Sequence, residues 1–412
     1  MEVSSEIAVI GAGVIGLAIA HRLAHAGHEV VVIDPAPPGS GASYGNAGTI
    51  ADYAIQPVGT PDVLRNLPSL LFDRNSPLSI RHAALPTLAP WLLRFARQSL
   101  PDAARRNAVA IAGLMAGALP GWDALAAEIG GEDLMRRRGC MYLFETEAGY
   151  KGAQNDLAFR RDLGVSVEML TADELAAMEP GLPPVAGGAA YFPRAVFFAD
   201  PGAMVGRLEA AARAAGVRFV TAKVDGLARN AGQVRLTGTG LEMTARRVVI
   251  AAGAHSKPLA RMAGDRIPLE TERGYHVEWD MDSPRLTRPC CPTARGFYFC
   301  PMQGRLRVAG TVELGGTEAP ASAHRIAKLV EGARAFFPDL GVPDREWLGF
   351  RPSMPDSLPV IGASRGGDEV IHAYGHGHVG LTLAPVTAQI VADLLGGRTP
   401  DAAIRPCLPT RF

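Results

Sequence analysis

The chain has 412 residues, 41 Lys and Arg against 41 Asp and Glu, and a sequence pI near 7.2. That balance offers no electrostatic case for nucleic acid, and the length exceeds one typical core and suits two domains. Hydrophobic residues make up 48 %, but no apolar run reads as long enough to span a bilayer.

In chain order, the apolar strand Ile7-Ala8-Val9-Ile10 runs into Gly11-Ala12-Gly13-Val14-Ile15-Gly16, a G-x-G-x-x-G turn that opens a helix. Such a loop lets the backbone meet a pyrophosphate, which then faces the amides and dipole of the helix N-terminus. The helix keeps small residues against the sheet and ends at Gly27, a C-terminal cap position. A second strand, Val30–Ile33, leads to Asp34 and Pro35, and a carboxylate about 20 residues past the loop can take a ribose hydroxyl. The same charge disfavours a 2′-phosphate there. This first strand and helix superficially resemble a signal peptide; Glu2, Glu6 and the missing basic segment argue against one.

Past Asp34, Ser43, Asn46, Ala47 and Gly48 offer amides and small side chains for wrapping a pyrophosphate or approaching a planar ring. From about Leu64 to Glu128 the pattern turns helical, punctuated by prolines at 68, 77, 86, 90, 101 and 120. Cofactor-like material returns with a helix around Gly206–Ala212 and strands at Val217–Val220 and Ala222–Val224, Val224 lying at the cofactor. An apolar strand, Arg246–Ile250, then ends in Ala251-Ala252-Gly253, whose small residues allow close approach. Between 266 and 348 the alternation of Tyr275–Trp279 and Arg305–Gly310 reads as half-buried strands. Finally Tyr374-Gly375-His376-Gly377-His378-Val379-Gly380-Leu381-Thr382 repeats the strand-into-glycine-loop pattern. A site opened at residue 7 and closed near 380 points to a flavin rather than a nicotinamide cofactor. The 5 cysteines show no metal spacing, and the adjacent Cys290-Cys291 is poor disulfide geometry, so no metal is expected and a reducing cytoplasm is the simplest setting.

Taken together, Gly11 to Asp34, Ser43 to Gly48, Val248 to Ser256, Tyr298–Pro301, Gly310–Glu313, Gly349–Asp356 and Tyr374 to Thr382 make the chain resemble a known family. It is similar to the D-amino acid oxidase-like FAD oxidoreductases, and most closely to their bacterial D-amino acid dehydrogenase branch, which the 64–128 stretch also resembles. The resemblance implies an α/β fold: a Rossmann-like FAD-binding domain of glutathione-reductase type, interleaved with an α+β substrate domain holding a mostly antiparallel sheet. Expected boundaries are 1–55, 195–265 and 345–412 for the first domain, and 56–194 and 266–344 for the second.

The same resemblance places Arg351 on the substrate carboxylate, where a guanidinium fork fixes orientation as well as charge. It gives Tyr298 a share in that carboxylate, the Gly377 carbonyl the substrate amine, and Tyr275 and His276 a place in the pocket wall. Amides of His378, Val379, Gly380, Leu381 and Thr382 would follow the flavin. His376 and His378 lack a carboxylate partner nearby in sequence, so both are expected to serve packing or the loop. FAD is expected to be noncovalent, since Gly349 stands where a linking cysteine would be and the 40–48 loop has no histidine. The expected reaction is hydride transfer from a small or apolar D-amino acid, D-proline or a hydroxylated relative included, to flavin N5, with catalysis by positioning and electrostatics. Electrons would pass to a quinone-type acceptor, with apolar faces of 64–128 docking peripherally on the inner face of the cytoplasmic membrane or packing inside the substrate domain. Alternatives are an oxygen-using glycine or sarcosine oxidase-like enzyme and a flavin-binding subunit of a larger complex.

Overall fold

Ile7–Ile10, the inner half of the strand Val3–Ile10, is buried on both faces, and the strand sits between two parallel neighbours, as an apolar central strand of an α/β sheet must. In the computed structural model, which describes residues 3–66, 73, 76, 78–230, 232–398 and 402–412, this strand pairs with Val30–Asp34 and with Leu241–Ile250. Arg218–Thr221 extends the sheet beyond Val30–Asp34. Leu241–Ile250 forks: its first half pairs antiparallel with Gln233–Gly238, its second half parallel with Gly367–Tyr374. The last strand therefore re-enters one strand removed from the first, across Leu241–Ile250, on the same sheet as the glycine loop of the N-terminus. The helices Val14–His25, Pro201–Ala214 and Gly380–Leu395 contribute Leu17, Leu208 and Val391 to one core cluster on this sheet.

A second, largely antiparallel sheet of nine strands runs Arg345–Ser353, Glu270–Asp280, Arg305–Leu314, Phe297–Met302, Cys290–Pro292, Cys140–Leu143, Ala189–Phe192 and Glu168–Leu170, with Leu78–Ile80 beside Arg305–Leu314. One face packs against the helix Ala323–Phe336 through Val277, Phe299, Val308 and Leu329. Period-two alternation then directs the other residues of those strands to the opposite face.

Four expectations change. Arg345–Ser353, grouped in sequence with the cofactor-binding segments, is an edge strand of the second sheet, because nine residues from Glu270 to Glu278 pair with it in unbroken register. Ala222–Val224 is irregular; the strand ends at Thr221, where pairing with Asp34 ends. Two helical stretches, Pro101–Glu128 and Gly377–Leu395, do reach spanning length and apolarity. Their apolar sides, including Ile111, Leu114, Trp122, Leu383 and Val391, are spent on the core they share with Val14–His25. Of the expected helical region, residues 67–72, 74, 75 and 77 lie outside the described residues; Leu78–Ile80 is instead a strand of the second sheet, because it pairs with Arg305–Leu314, and the helices are Leu85–Gln98, Pro101–Met115 and Ala118–Glu128.

Candidate active site

The N-terminal loop is built by close backbone approach. Gly11 has φ +114°, and a Cβ there would lie 2.4 Å from the Ala251 carbonyl oxygen, so only glycine fits between the first strand and the Ala251-Ala252-Gly253 turn. A Cβ on Gly16 would meet the Gly11 oxygen at 1.9 Å. The loop is clamped by side chains: Asp34 accepts from the Ala12 and Ala36 amides at 2.7 and 2.8 Å, and the Ser43 hydroxyl accepts from the Val14 amide at 2.9 Å. Gly13, the N-cap, supplies no side chain, and Ile15 lies in the first helical turn, which carries no acid, so the helix terminus stays electropositive. Pro35 is exposed beyond Asp34, and Val224 is buried in the core beneath this sheet.

The 43–48 loop is held from the second sheet. Asn46 donates to the Ser43 carbonyl and accepts from the Gly48 amide, with Ala47 between them. Arg307 donates to the carbonyls of Tyr44 (2.9 Å) and Asn46 (2.7 Å), and His276 Nδ1 lies 3.1 Å from the Gly45 carbonyl. Burial and Arg307 push the His276 imidazole down to about 3, so it is neutral and donates there. Its ring stacks on Trp347 at 5.0 Å. Beneath them Glu278 is fully buried and bonded to Arg307 (2.7 Å), Arg305 (3.0 Å) and Arg345 (2.9 Å). Burial opposes its charge, but the three guanidiniums hold the carboxyl down to about 2. The buried Nη2 of Arg307 and Oγ1 of Thr49 have no hydrogen-bond partner, and both atoms border this loop. The Gly11 and Gly16 cradles and these unsatisfied polar atoms fit a bound dinucleotide and its flavin.

Arg351 pairs in register with Glu272 across adjacent strands. It is enclosed deep in the protein yet still reached by solvent, as a residue lining an interior cleft is. Its Nη1 donates to the Thr311 carbonyl at 3.2 Å, and among the described residues no carboxylate lies within ion-pair distance of it. Thr311 has φ +55°, an uncommon conformation for a β-branched residue, beside the register shift at Arg273/Tyr275. Its Oγ1 is buried without a hydrogen-bond partner among the described residues, and the Ser353 hydroxyl lies beside Glu272, where it helps to lower that carboxyl. Gly377, at φ +53°, lies close by: a Cβ there would be 3.7 Å from the Ser353 hydroxyl. Val379, Gly380, Leu381 and Thr382 follow as the start of the helix, with Thr382 Oγ1 accepting from the Ala51 amide at 3.0 Å.

Two predicted roles are corrected. Tyr275 does not face the cleft; alternation points it to the helix side, where its hydroxyl donates to Glu313 at 2.8 Å inside a buried cluster. His378 is not a packing residue. Its Nε2 meets Glu272 Oε2 at 2.5 Å across 106 residues of sequence, whereas His376, held neutral by burial at about 3, bonds Thr387 as a packing residue should. Tyr298 is on the cleft side but makes no hydrogen bond to Arg351; its hydroxyl meets that of Tyr142 at 3.2 Å, beside Tyr53 and Phe192. The Glu272–His378 contact, Arg307 and Trp347 escaped the sequence reading. Glu272 could have been found as an acid at an even spacing from His276, on the cleft face of its strand.

A family model described as "DAO: FAD dependent oxidoreductase" matches residues 6–394. A D-amino-acid oxidase of Bradyrhizobium diazoefficiens is 37 % identical over 98 % of both chains, and D-amino acid dehydrogenase 2 of Ralstonia nicotianae is 32 % identical over 97 % of this chain and 99 % of that one. Among solved structures, glycine oxidase from Geobacillus kaustophilus superposes with a TM-score of 0.77 at 26 % identity, covering 99 % of each chain. L-proline dehydrogenase from P. horikoshii shares the fold, with a TM-score of 0.75 at 21 % identity over 100 % of this chain and 98 % of that one.

Proposed function

The chain belongs to the DAO family of FAD-dependent oxidoreductases and is an amino acid oxidoreductase, and on that premise we propose that it oxidises small or apolar D-amino acids, D-proline and its hydroxylated relatives included, to the imine or 2-oxo acid. The observation that carries this reading is Arg351, an enclosed guanidinium with no carboxylate in ion-pair range among the described residues, facing a cleft beside Gly377. It anchors the substrate carboxylate; the Gly377 carbonyl accepts from the amine, which sets the α-carbon between them. Tyr298, Tyr142, Tyr53 and Phe192 form an aromatic wall suited to an apolar side chain. FAD, held noncovalently by the Gly11–Gly16 loop, Asp34 and the 43–48 loop, accepts the two electrons when bound. Acid precipitation should leave the flavin in the supernatant; flavin in the pellet would refute noncovalent binding.

The two relatives divide over the acceptor. The dehydrogenase-named relative favours an acceptor other than oxygen, which we take to be of quinone type, and the exposed Leu93, Leu100 and Val109 among Arg94, Arg97, Arg105 and Arg106 offer a surface for peripheral membrane contact. The oxidase-named relative and the glycine oxidase structure favour oxygen as the second reading. Paired D- and L-amino acids, assayed with a dye acceptor under nitrogen and then in air, test both parts. Turnover of D substrates faster with dye than with oxygen supports the proposal. Reduction by L substrates alone would break the stereochemistry, and fast reoxidation in air would move the enzyme to the oxidase reading.

A further inference from the structure

Glu272 is 2 % exposed, on a face where alternation also places Gly274, His276 and Glu278, and among the described residues it forms an ion pair only with His378. Burial raises its carboxyl, yet His378 and Arg351 together hold it below the usual carboxylate range, so it is charged inside the protein. A buried anion is costly unless it orients or stabilises a cation. Its partner is not a buried packing residue: the His378 side chain is 39 % exposed, and its Nδ1 makes no hydrogen bond among the described residues. With Nε2 bonded to the carboxylate, the proton of a neutral imidazole resides on Nε2, and Nδ1 is left as an acceptor.

The charges are ordered. Arg351 and Glu272 face each other across one strand pair, where side chains start about 5 Å apart. His378 adjoins Gly377 in the chain. A cation with no carboxylate in ion-pair range next to a carboxylate–imidazole pair is the complement of a zwitterion, whose own carboxylate and ammonium are one carbon apart.

We propose that Glu272 and His378 recognise the substrate's α-ammonium group and take its proton, His378 Nδ1 as the acceptor and Glu272 as the group that orients and charges it. The N–H bond of the ammonium breaks, an Nδ1–H bond forms, and the amine keeps its electron pair for oxidation; the imidazolium later returns the proton to water. Glu272 remains a carboxylate throughout and is a positioning residue. The charged groups facing His378 are Glu272 from its own strand and Arg351 from the neighbouring one.

This inference rests on the amino acid reading above, so the test separates the two. The holoenzyme is titrated by calorimetry between pH 6 and 9 with 2-aminoisobutyrate, which has no α-hydrogen and cannot be oxidised, and with pivalate, its isostere without the ammonium. The parent should bind pivalate with little pH dependence and lose 2-aminoisobutyrate affinity about tenfold per unit as pH falls below the imidazole midpoint, since one proton is then in competition. His378→Asn should flatten that dependence and weaken 2-aminoisobutyrate about tenfold or more at pH 8, as loss of a hydrogen bond to a charged group does, with pivalate unchanged within about twofold. Glu272→Gln should weaken 2-aminoisobutyrate at pH 8 and leave pivalate unchanged within about twofold, because the carboxylate that orients Nδ1 through Nε2 is gone. A parent curve retained by His378→Asn, or no pH dependence in the parent, overturns the proposal. Failure of pivalate to bind the parent overturns the carboxylate reading and this inference with it.

Discussion

Around the N-terminal loop, the residues that clamp one another are near in sequence: Gly11 with Gly16, Ala12 with Asp34 and Val14 with Ser43 all fall within one strand, turn, helix, strand and following loop, with Ala251 the distant neighbour of Gly11. On the cleft face of the second sheet, Glu272 and His378 meet across 106 residues and Arg351 arrives on an edge strand. The first region uses backbone and small side chains to create space. The second uses buried charge. Space for a dinucleotide is written as glycine spacing, whereas a charge constellation is written in strand register and parity, which become visible only once strands pair.

Perturbing the charge of the second region should do the most damage to stability. Replacing Glu278 by Ala leaves Arg307, buried and with one unsatisfied amino group already, without its carboxylate; breaking a buried pair in this way costs about 3–5 kcal/mol. A thermal unfolding scan that shows no loss of stability would deny the network a structural role. The same carboxylate gives a pH signature. Because its folded pKa lies at about 2, below the unfolded value of 4.5, its stabilisation is present above about pH 5 and is lost as pH falls toward 2. The shift corresponds to about 3 kcal/mol, and the acid limb of a denaturation series should be shallower in Glu278→Gln.

The first region should respond differently. Gly11→Ala meets the Ala251 backbone and a left-handed φ, a strain of about 1–3 kcal/mol. Its main readout is the flavin-to-protein ratio after purification, which should collapse while the chain stays folded. Full flavin occupancy would contradict the cradle. The smallest effect belongs to Tyr275→Phe. It removes the bond to Glu313 and should cost about 1 kcal/mol without changing KM for any amino acid. A raised KM would return Tyr275 to the cleft.

These contrasts follow what could be read from the chain. The strand–loop–helix–strand–acid order from Ile7 to Asp34 carries its own geometry, and the return of Tyr374–Thr382 to the same sheet, across Leu241–Ile250, followed from a matching pattern. The alternation at Tyr275–Trp279 identified a strand correctly but not which face is the cleft, because both faces carry buried residues: Tyr275, Val277 and Trp279 on one, His276 and Glu278 on the other. A strand buried on both sides has no polar face to mark its orientation. His378 looked unpartnered for a related reason, since its carboxylate lies on a strand of the other sheet. Arg351 was legible through the Gly349–Pro352 segment, but its lack of a carboxylate partner was not.

Carboxylate binding by Arg351 underlies the proposed function, and single-turnover flavin reduction of the parent and of Arg351→Ala decides it. Removing one partner of a buried charge-assisted pair costs about 2–5 kcal/mol, so the substrate concentration giving half-maximal reduction by a D-amino acid should rise by about 30-fold or more. The matching amine without a carboxylate should reduce the flavin of both proteins equally poorly. An equal loss for amino acid and amine, or no loss for either, would contradict the assignment.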